Sequence, residues 1–545
     1  MKRCTVAFAI AMALAAPGVH ADERESLETL RKTTLSLIDA LVESGVLSRD
    51  KADALLKQAQ QQAAATRSQP AGGPAPVRVP YIPESVRAEI RDQLRHEITA
   101  QARAERWAEP NAIPDWVSRL QWEGDIRVRY QHEYFDGGNT PAGAYRLDDL
   151  TFYDPSATRF VDAGSEAASG RATGNTSEDL QRWRIRARLG LLANISPSVS
   201  AGVRLSTGNT QDRVSTNQTL GQNFNKYSFL VDRAYLKLDP VEWFSASLGR
   251  IPNPWFSTDL VWDEDLSFEG LAATFRKPAQ AGQLQPFATV GWFPLRSDAP
   301  PDTESRSLTG IQLGVDWSPG RDTRVRAGFA QYRYHGMEAR PDPYDALGNR
   351  LSGWGSTVYG AGLRGKGNTL VSTNDYLYDT PATVDDVNWG LASRFAPQVL
   401  TVAADLAHFD PWHVLLSAEY VRNTAFSRGE IFRRTGLRLS DGSNTAYLFR
   451  VAVGALAVRE KGEWQASLSY RRVGSDAVLD AFTDSDFGLG GTNLKGYTLG
   501  FNYGLDRNTV LGLRWMSADT IDSPTLADGH RFGVDLLQID MSVKF

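Results

Sequence analysis

From Arg182 to Leu189 four arginines alternate with Trp183, Ile185, Ala187 and Leu189. Side chains of an extended strand point alternately to its two faces, so one face here is wholly cationic and the other wholly apolar. Few folds accept such a strand. A soluble sandwich would have to turn the arginines to bulk water. A membrane-spanning barrel would turn them to an aqueous lumen and the apolar face to lipid.

Composition narrows the choice. The 545-residue chain has a mean hydropathy of −0.35, and no apolar run of ~20 residues, as a membrane-spanning helix needs, lies beyond residue 21. It holds 47 glycines with 14 Trp, 18 Tyr and 23 Phe, which suits pleated sheet with tight turns. Lys plus Arg total 59 against 64 acids, so the basic excess needed to neutralise a nucleic-acid backbone is missing and no nucleic-acid partner is expected. Lys2 and Arg3, the apolar Val6–Ala16 stretch and the small-residue site Val19-His20-Ala21 read as a secretory signal peptide over residues 1–21, cleaved near Ala21. The only cysteine, Cys4, leaves with it, so the mature chain is expected to have no disulfide and no thiolate metal site. Loss of two cations takes the formal charge from −5 to −7.

Residues 22–68 read as a helical hairpin: Leu27, Leu30, Thr34, Leu37 and Leu41 recur at three and four, Gly45 stops the first helix and Ser48 caps a second. Seven prolines and glycines make 69–83 an extended linker. Over 84–114 a third helix carries Val86, Ile90, Leu94, Ile98 and Ala102 every four residues, a narrow seam that fits either a coiled coil between copies or packing on the hairpin.

From 115 to 545 the period becomes two. Leu537, Ile539, Met541 and Val543 alternate with polar residues and the chain closes on Phe545, which looks like the recognition signal of Gram-negative outer-membrane barrels, the barrel-assembly machinery then being a partner. Short turns are expected near Ser196, Asp239, 277–283, 318–322, Asp410, 460–463 and 506–508, and eight long segments between them. With both termini on the turn side, seven turns and eight loops require sixteen antiparallel strands. Counting Val387–Phe395 as a strand of its own would break that parity; eighteen strands are the alternative. Trp317, Trp412 and Trp464 sit beside short turns, as a periplasmic aromatic girdle would.

The leader segment Ser44–Ser48, the barrel opening Gly124–Tyr130, Asp232–Tyr235, Gly249–Trp255, Val261–Leu266 and above all Asp480–Asn493 resemble the putative porin family of proteobacteria, whose members carry a helical periplasmic leader before a barrel. The resemblance implies an all-β outer-membrane barrel and a passive channel, and names no solute.

Extending each strand's alternation places Arg127, Arg129, Arg182, Arg184, Arg186, Arg188, Arg204, Arg233, Arg250, Arg324, Arg326, Arg450, Arg471 and Arg514 on the lumen face. Glu123, Asp125, Asp316, Asp405, Glu419 and Asp540 share it. In sixteen-stranded general porins the loop after the fifth strand folds inward; here it spans residues 251–267 and carries Asp259, Asp263, Glu264 and Asp265 beside Trp255, Phe256 and Trp262. Fourteen arginines against ten acids predict an anion preference. Asp480, Asp484 and Asp486 lack the spacing of a dedicated calcium loop, and the seven histidines form no metal or catalytic motif, so no cofactor, metal or catalytic residue is expected. Outer-membrane lipid and other copies of the chain, most simply as a trimer, are the expected partners, with peptidoglycan an alternative use of the leader helices. An adhesin or receptor using the long loops is the competing function, with an outer-membrane enzyme a further one.

Overall fold

The computed structural model describes residues 115–139, 175–210, 212–278, 282–297, 305–360, 363, 366–374, 388–435, 438–522 and 531–545. The expected signal peptide, helical hairpin, linker and third helix lie outside them. A short helix, Asp115–Ser118, leads into the first strand.

Sixteen strands form the wall, numbered here in chain order: β1 Leu120–Phe135, β2 Leu180–Ser196, β3 Val199–Ser206, β4 Leu230–Val241, β5 Phe244–Ile251, β6 Phe268–Arg276, β7 Gln285–Arg296 and β8 Arg306–Trp317. The circuit continues through β9 Thr323–His335, β10 Pro397–Phe409, β11 Trp412–Asn423, β12 Thr445–Gly454, β13 Trp464–Val473, β14 Leu494–Asp506, β15 Thr509–Thr520 and β16 Gly533–Lys544. Each strand pairs antiparallel with its neighbours, and β16 returns to β1 in the register Asp125↔Lys544 to Phe135↔Val534. The ring is therefore closed and presents no free edge. At the seam the backbone of Phe545 exchanges two hydrogen bonds with Gly124, 2.9 and 3.0 Å.

Connections alternate between seven short turns and eight long loops, as the parity argument requires. One turn is displaced: β4 runs on through Asp239 and Pro240 to Val241, and the chain reverses at Glu242-Trp243. Val387–Phe395 is not a wall strand, because its central residues Trp389–Leu391 pair with Leu370–Ser372 in a small hairpin inside the loop 336–396.

The two faces separate as the alternation demands. Trp122, Ile126, Val128, Trp183 and Leu189 are exposed on the outer face, whereas Asp125 and Arg129 between them are buried inward. Exposed Trp243, Trp317, Phe409 and Trp412 gather at the turn side, with Trp412 packed on Trp464 at 6.0 Å. Among the described residues no helix is long and apolar enough to cross a membrane; the crossing elements are strands.

Candidate functional site

The loop 252–267 crosses the interior of the barrel. It leaves β5 and returns to β6, yet its side chains and backbone bond strands far around the wall. Phe256 N–H donates to Gln312 on β8 (2.9 Å), whose amide donates back to the Phe256 carbonyl (2.7 Å). Thr258 donates twice to Glu419 on β11, and Asp259 accepts from Arg450 on β12 (2.8 Å) and Arg471 on β13 (2.7 Å). Asp265 accepts from Arg188 on β2 (3.0 Å) and from Thr216 (3.0 Å). The loop's own sequence explains the inward course: Trp255, Leu260, Val261, Trp262 and Leu266 are all buried, and burial of each large apolar side chain contributes about 1.5–3 kcal/mol. Trp262 sits edge-on to Phe268 (4.9 Å) and Tyr332 (5.2 Å).

A second inward loop, 474–493, meets the first. Asp263 N–H donates to the Phe482 carbonyl, and its carboxylate accepts from Ser485 N–H, both 2.9 Å. The three aspartates weighed for calcium each have a separate partner: Asp480 accepts from Tyr359 of the loop 336–396 (2.5 Å), Asp484 from Arg471 (2.8 Å), and Asp486 from Arg129 (2.9 Å) and Arg514 (3.2 Å). The sequence reading singled this segment out as the most specific family feature but missed that it enters the lumen. The available signal was Ala477-Val478-Leu479 with Phe482 and Phe487, all buried, an apolar run a surface loop would not carry.

The predicted lumen arginines fall into four groups. On β1 and β2, Arg129 is fully buried between Asp486 and Asp540, Arg182 pairs with Glu133, Arg184 reaches Gln131, Arg186 and Arg188 share Asp125 and Asp265, and Arg127 donates to Asn217 (2.6 Å). On β3 to β6, Arg204 pairs with Asp232, Arg233 donates to Ser267, and Arg250 pairs with Glu269. On β12, β13 and β15, Arg450, Arg471 and Arg514 hold the inward loops. At the turn end of β9, Arg324 and Arg326 flank Asp316, and Arg326 lies over the rings of Phe256 (4.4 Å) and Phe287 (4.7 Å). The count of ten acids is corrected by this geometry. Glu133, Asp232, Glu269, Asp484 and Asp486 also bond these arginines, so the lumen is closer to neutral than the alternation alone implied.

Electrostatics divide the loop acids. Burial pushes Asp259 up, but the Arg471 and Arg450 guanidiniums more than offset it and hold the carboxyl below the usual carboxylate range. Arg186 and Arg188 do the same for Asp265, and Arg129 and Arg514 for Asp486. Asp263, buried and beside Asp484 and Asp265, is pushed the other way. Among the described residues Glu264 makes no such anchor. It faces a cavity of ≈ 700 Å³ on the turn side of the loop, together with Arg324, Arg326, Arg450, Arg514, Asp405 and Asp540.

A closed antiparallel barrel with an apolar outer belt, a charged interior and loops folded into its bore is an outer-membrane porin-type barrel. The chain belongs to the putative porin family, whose model matches residues 31–545. Among solved structures it is similar to Salmonella typhi OmpF in complex with daunomycin (11% identity, 78% of this chain and 97% of that one, TM-score 0.37). It is also similar to an anion-selective porin from Comamonas acidovorans (10%, 78% and 99%, 0.38) and to Pseudomonas putida OprB at high pH (10%, 79% and 95%, 0.42). A search of the curated proteins returns no match.

Proposed function

We propose that this outer-membrane channel is a passive one for small hydrophilic solutes, with a modest preference for anions. The observation that carries the reading is the turn-side cavity. Its four arginines face three acids; Arg324 is 65% exposed, Asp405 and Asp540 are 26% and 16% exposed, and Glu264 is the exposed acid among them. The lining therefore carries one more cation than anion, and Arg324 is the guanidinium most open to solute. The acidic loop 252–267 narrows the bore, with Glu264 as the carboxylate a passing solute meets. Purified protein in planar bilayers should give stepwise conductance, and reversal potentials in a salt gradient should favour the anion. A folded, electrically silent barrel would favour the adhesin or enzyme reading instead, and cation selectivity would overturn the charge assignment.

The remaining features of the reading concern biogenesis and assembly. Residues 1–21 direct export, Phe545 presents the terminal strand to the assembly machinery, and the leader helices sit in the periplasm and hold a trimer through the Val86–Ala102 seam. Deleting residues 22–106 should then weaken oligomers without unfolding the barrel, which satisfies its own hydrogen bonds. Monomeric full-length protein in mild detergent would shift the leader's role to peptidoglycan.

A further inference from the structure

Beside the turn-side cavity stands a titratable group that its arginines and acids do not include. His413 on β11 continues the inward series Glu419, Ser417 and Leu415 toward the turn. Ser417 and Leu415 line the cavity, whereas Leu416 and Tyr420 are exposed on the outer face. His413 Nδ1 lies 2.6 Å from Oδ1 of Asp405 on β10, itself a cavity residue. A carboxylate only accepts, so Nδ1 carries the hydrogen and Nε2 is the nitrogen left to bind or release a proton. Both side chains are about one-quarter exposed, so water reaches the pair. Opposite His413 in the ladder stands Gly454, which leaves the imidazole room beside β12 and brings no charge. On the other side Arg324 of β9 is opposite Asp405, with Asp316 of β8 beyond it. Asp410 sits in the turn between β10 and β11, and Glu463 of the next turn accepts from the backbone N–H groups of Arg459 and Glu460. Among the described residues no other histidine is bonded to an acid: His335 and His408 meet threonines, and His132 stacks on Tyr134.

We infer that His413 determines the ion preference of the turn-side mouth, its protonation turning that preference further toward inorganic anions. The inference rests on the channel reading and deepens it by naming a residue that regulates the same cavity. With His413 neutral, four arginines and three acids face the cavity. Histidine is the side chain whose ordinary titration falls between pH 5 and 8, and a proton on Nε2 adds a cation beside Asp405. The excess of cations at the mouth then rises from one to two. A unit charge about 7 Å from a passing ion in water changes the local population of that ion by about threefold, an effect that salt screens. Glu264 faces the same cavity, and its protonation acts in the same direction, so the two groups have to be separated by substitution.

The test measures reversal potentials of full-length protein in planar bilayers, in a potassium chloride gradient at low salt, at pH 8 and at pH 5.5. All proteins carry Glu264→Gln, which removes the other exposed acid of the cavity. With His413 present, the chloride-to-potassium permeability ratio should rise about threefold on acidification. Adding His413→Gln should flatten the profile. Adding His413→Lys instead, charged throughout this range, should give the acid value already at pH 8, which a merely structural role for the imidazole would not produce. A heat-modifiable band on gels reports that each variant is folded, and if the glutamine variant is not, the lysine variant decides. A flat profile with His413 present, the same rise without it, or a lysine variant whose ratio still titrates would each overturn the inference. Any of these results in a conducting protein leaves the channel reading standing, whereas a folded but silent barrel removes both.

Discussion

Replacing Asp259 by Asn should loosen the loop 252–267 from the wall. The carboxylate accepts from Arg450 at 2.8 and 3.0 Å and from Arg471 at 2.7 Å, and Arg471 is only 4% exposed. Removing one partner of a buried ion pair costs about 3–5 kcal/mol. Two features lower that figure: Arg471 keeps Asp484, and Arg450 is one-third exposed and regains water. About 3 kcal/mol is therefore expected, which corresponds to a more than hundredfold rise in the open population of the loop. The mature chain is expected to lack cysteine, so Val261→Cys supplies a single buried reporter in the loop. Its labelling by a membrane-impermeant maleimide, measured against an exposed-cysteine control, should accelerate by about two orders of magnitude in the Asp259→Asn background. Adding Arg450→Gln to that background should change the rate little further, because the partner is already gone. Less than a threefold acceleration would refute the view that the Asp259 pairs anchor the loop.

Asp259, Asp265 and Asp486 are held below the ordinary value of 3.8, so they stabilise the inward loops above that pH and cease to as it falls through their lower folded-state values. Asp263 is raised and runs the other way, its penalty easing on acidification. Normalised labelling of the same cysteine should therefore not accelerate between about pH 8 and about pH 5, and should rise only below the ordinary carboxylate value; acceleration near pH 6 would contradict this. Arg324→Gln should reduce the anion preference with the loop still closed, whereas Arg186→Gln with Arg188→Gln should release Asp265 and alter conductance as well; equal effects in bilayer recordings would deny the distinction between accessible and structural arginines. At Gly454, where φ is 131°, a Cβ would lie 2.1 Å from the Trp464 backbone oxygen, so Gly454→Ala should cost about 1–3 kcal/mol where β12 meets β13. An unchanged temperature of conversion on heated gels would argue against close packing there.

Strand number and strand faces were legible in the sequence because they depend on local regularities. A period of two assigns Arg184 and Trp183 to opposite faces wherever the strand sits, and the parity of short and long connections counts strands without reference to contacts. The displaced turn at Glu242-Trp243 shows the limit of this kind of reading: Asp239-Pro240 is turn-like chemistry that the ladder carried two residues further into β4. The partners of the lumen charges were not legible. Arg129 meets Asp486 across 357 residues, and Arg471 meets Asp259 across 212. Closing the ring brings strands distant in sequence around one bore, and the two inward loops then deliver their acids to whichever arginines lie opposite. The sequence by itself determined a barrel with an arginine-rich interior and an acidic loop beside it. Only the tertiary structure decided which arginines are neutralised by Asp259, Asp265, Asp484 and Asp486 and which, like Arg324, remain open to solute, because charge pairing is set by proximity in space and carries no signature in the period of a single strand.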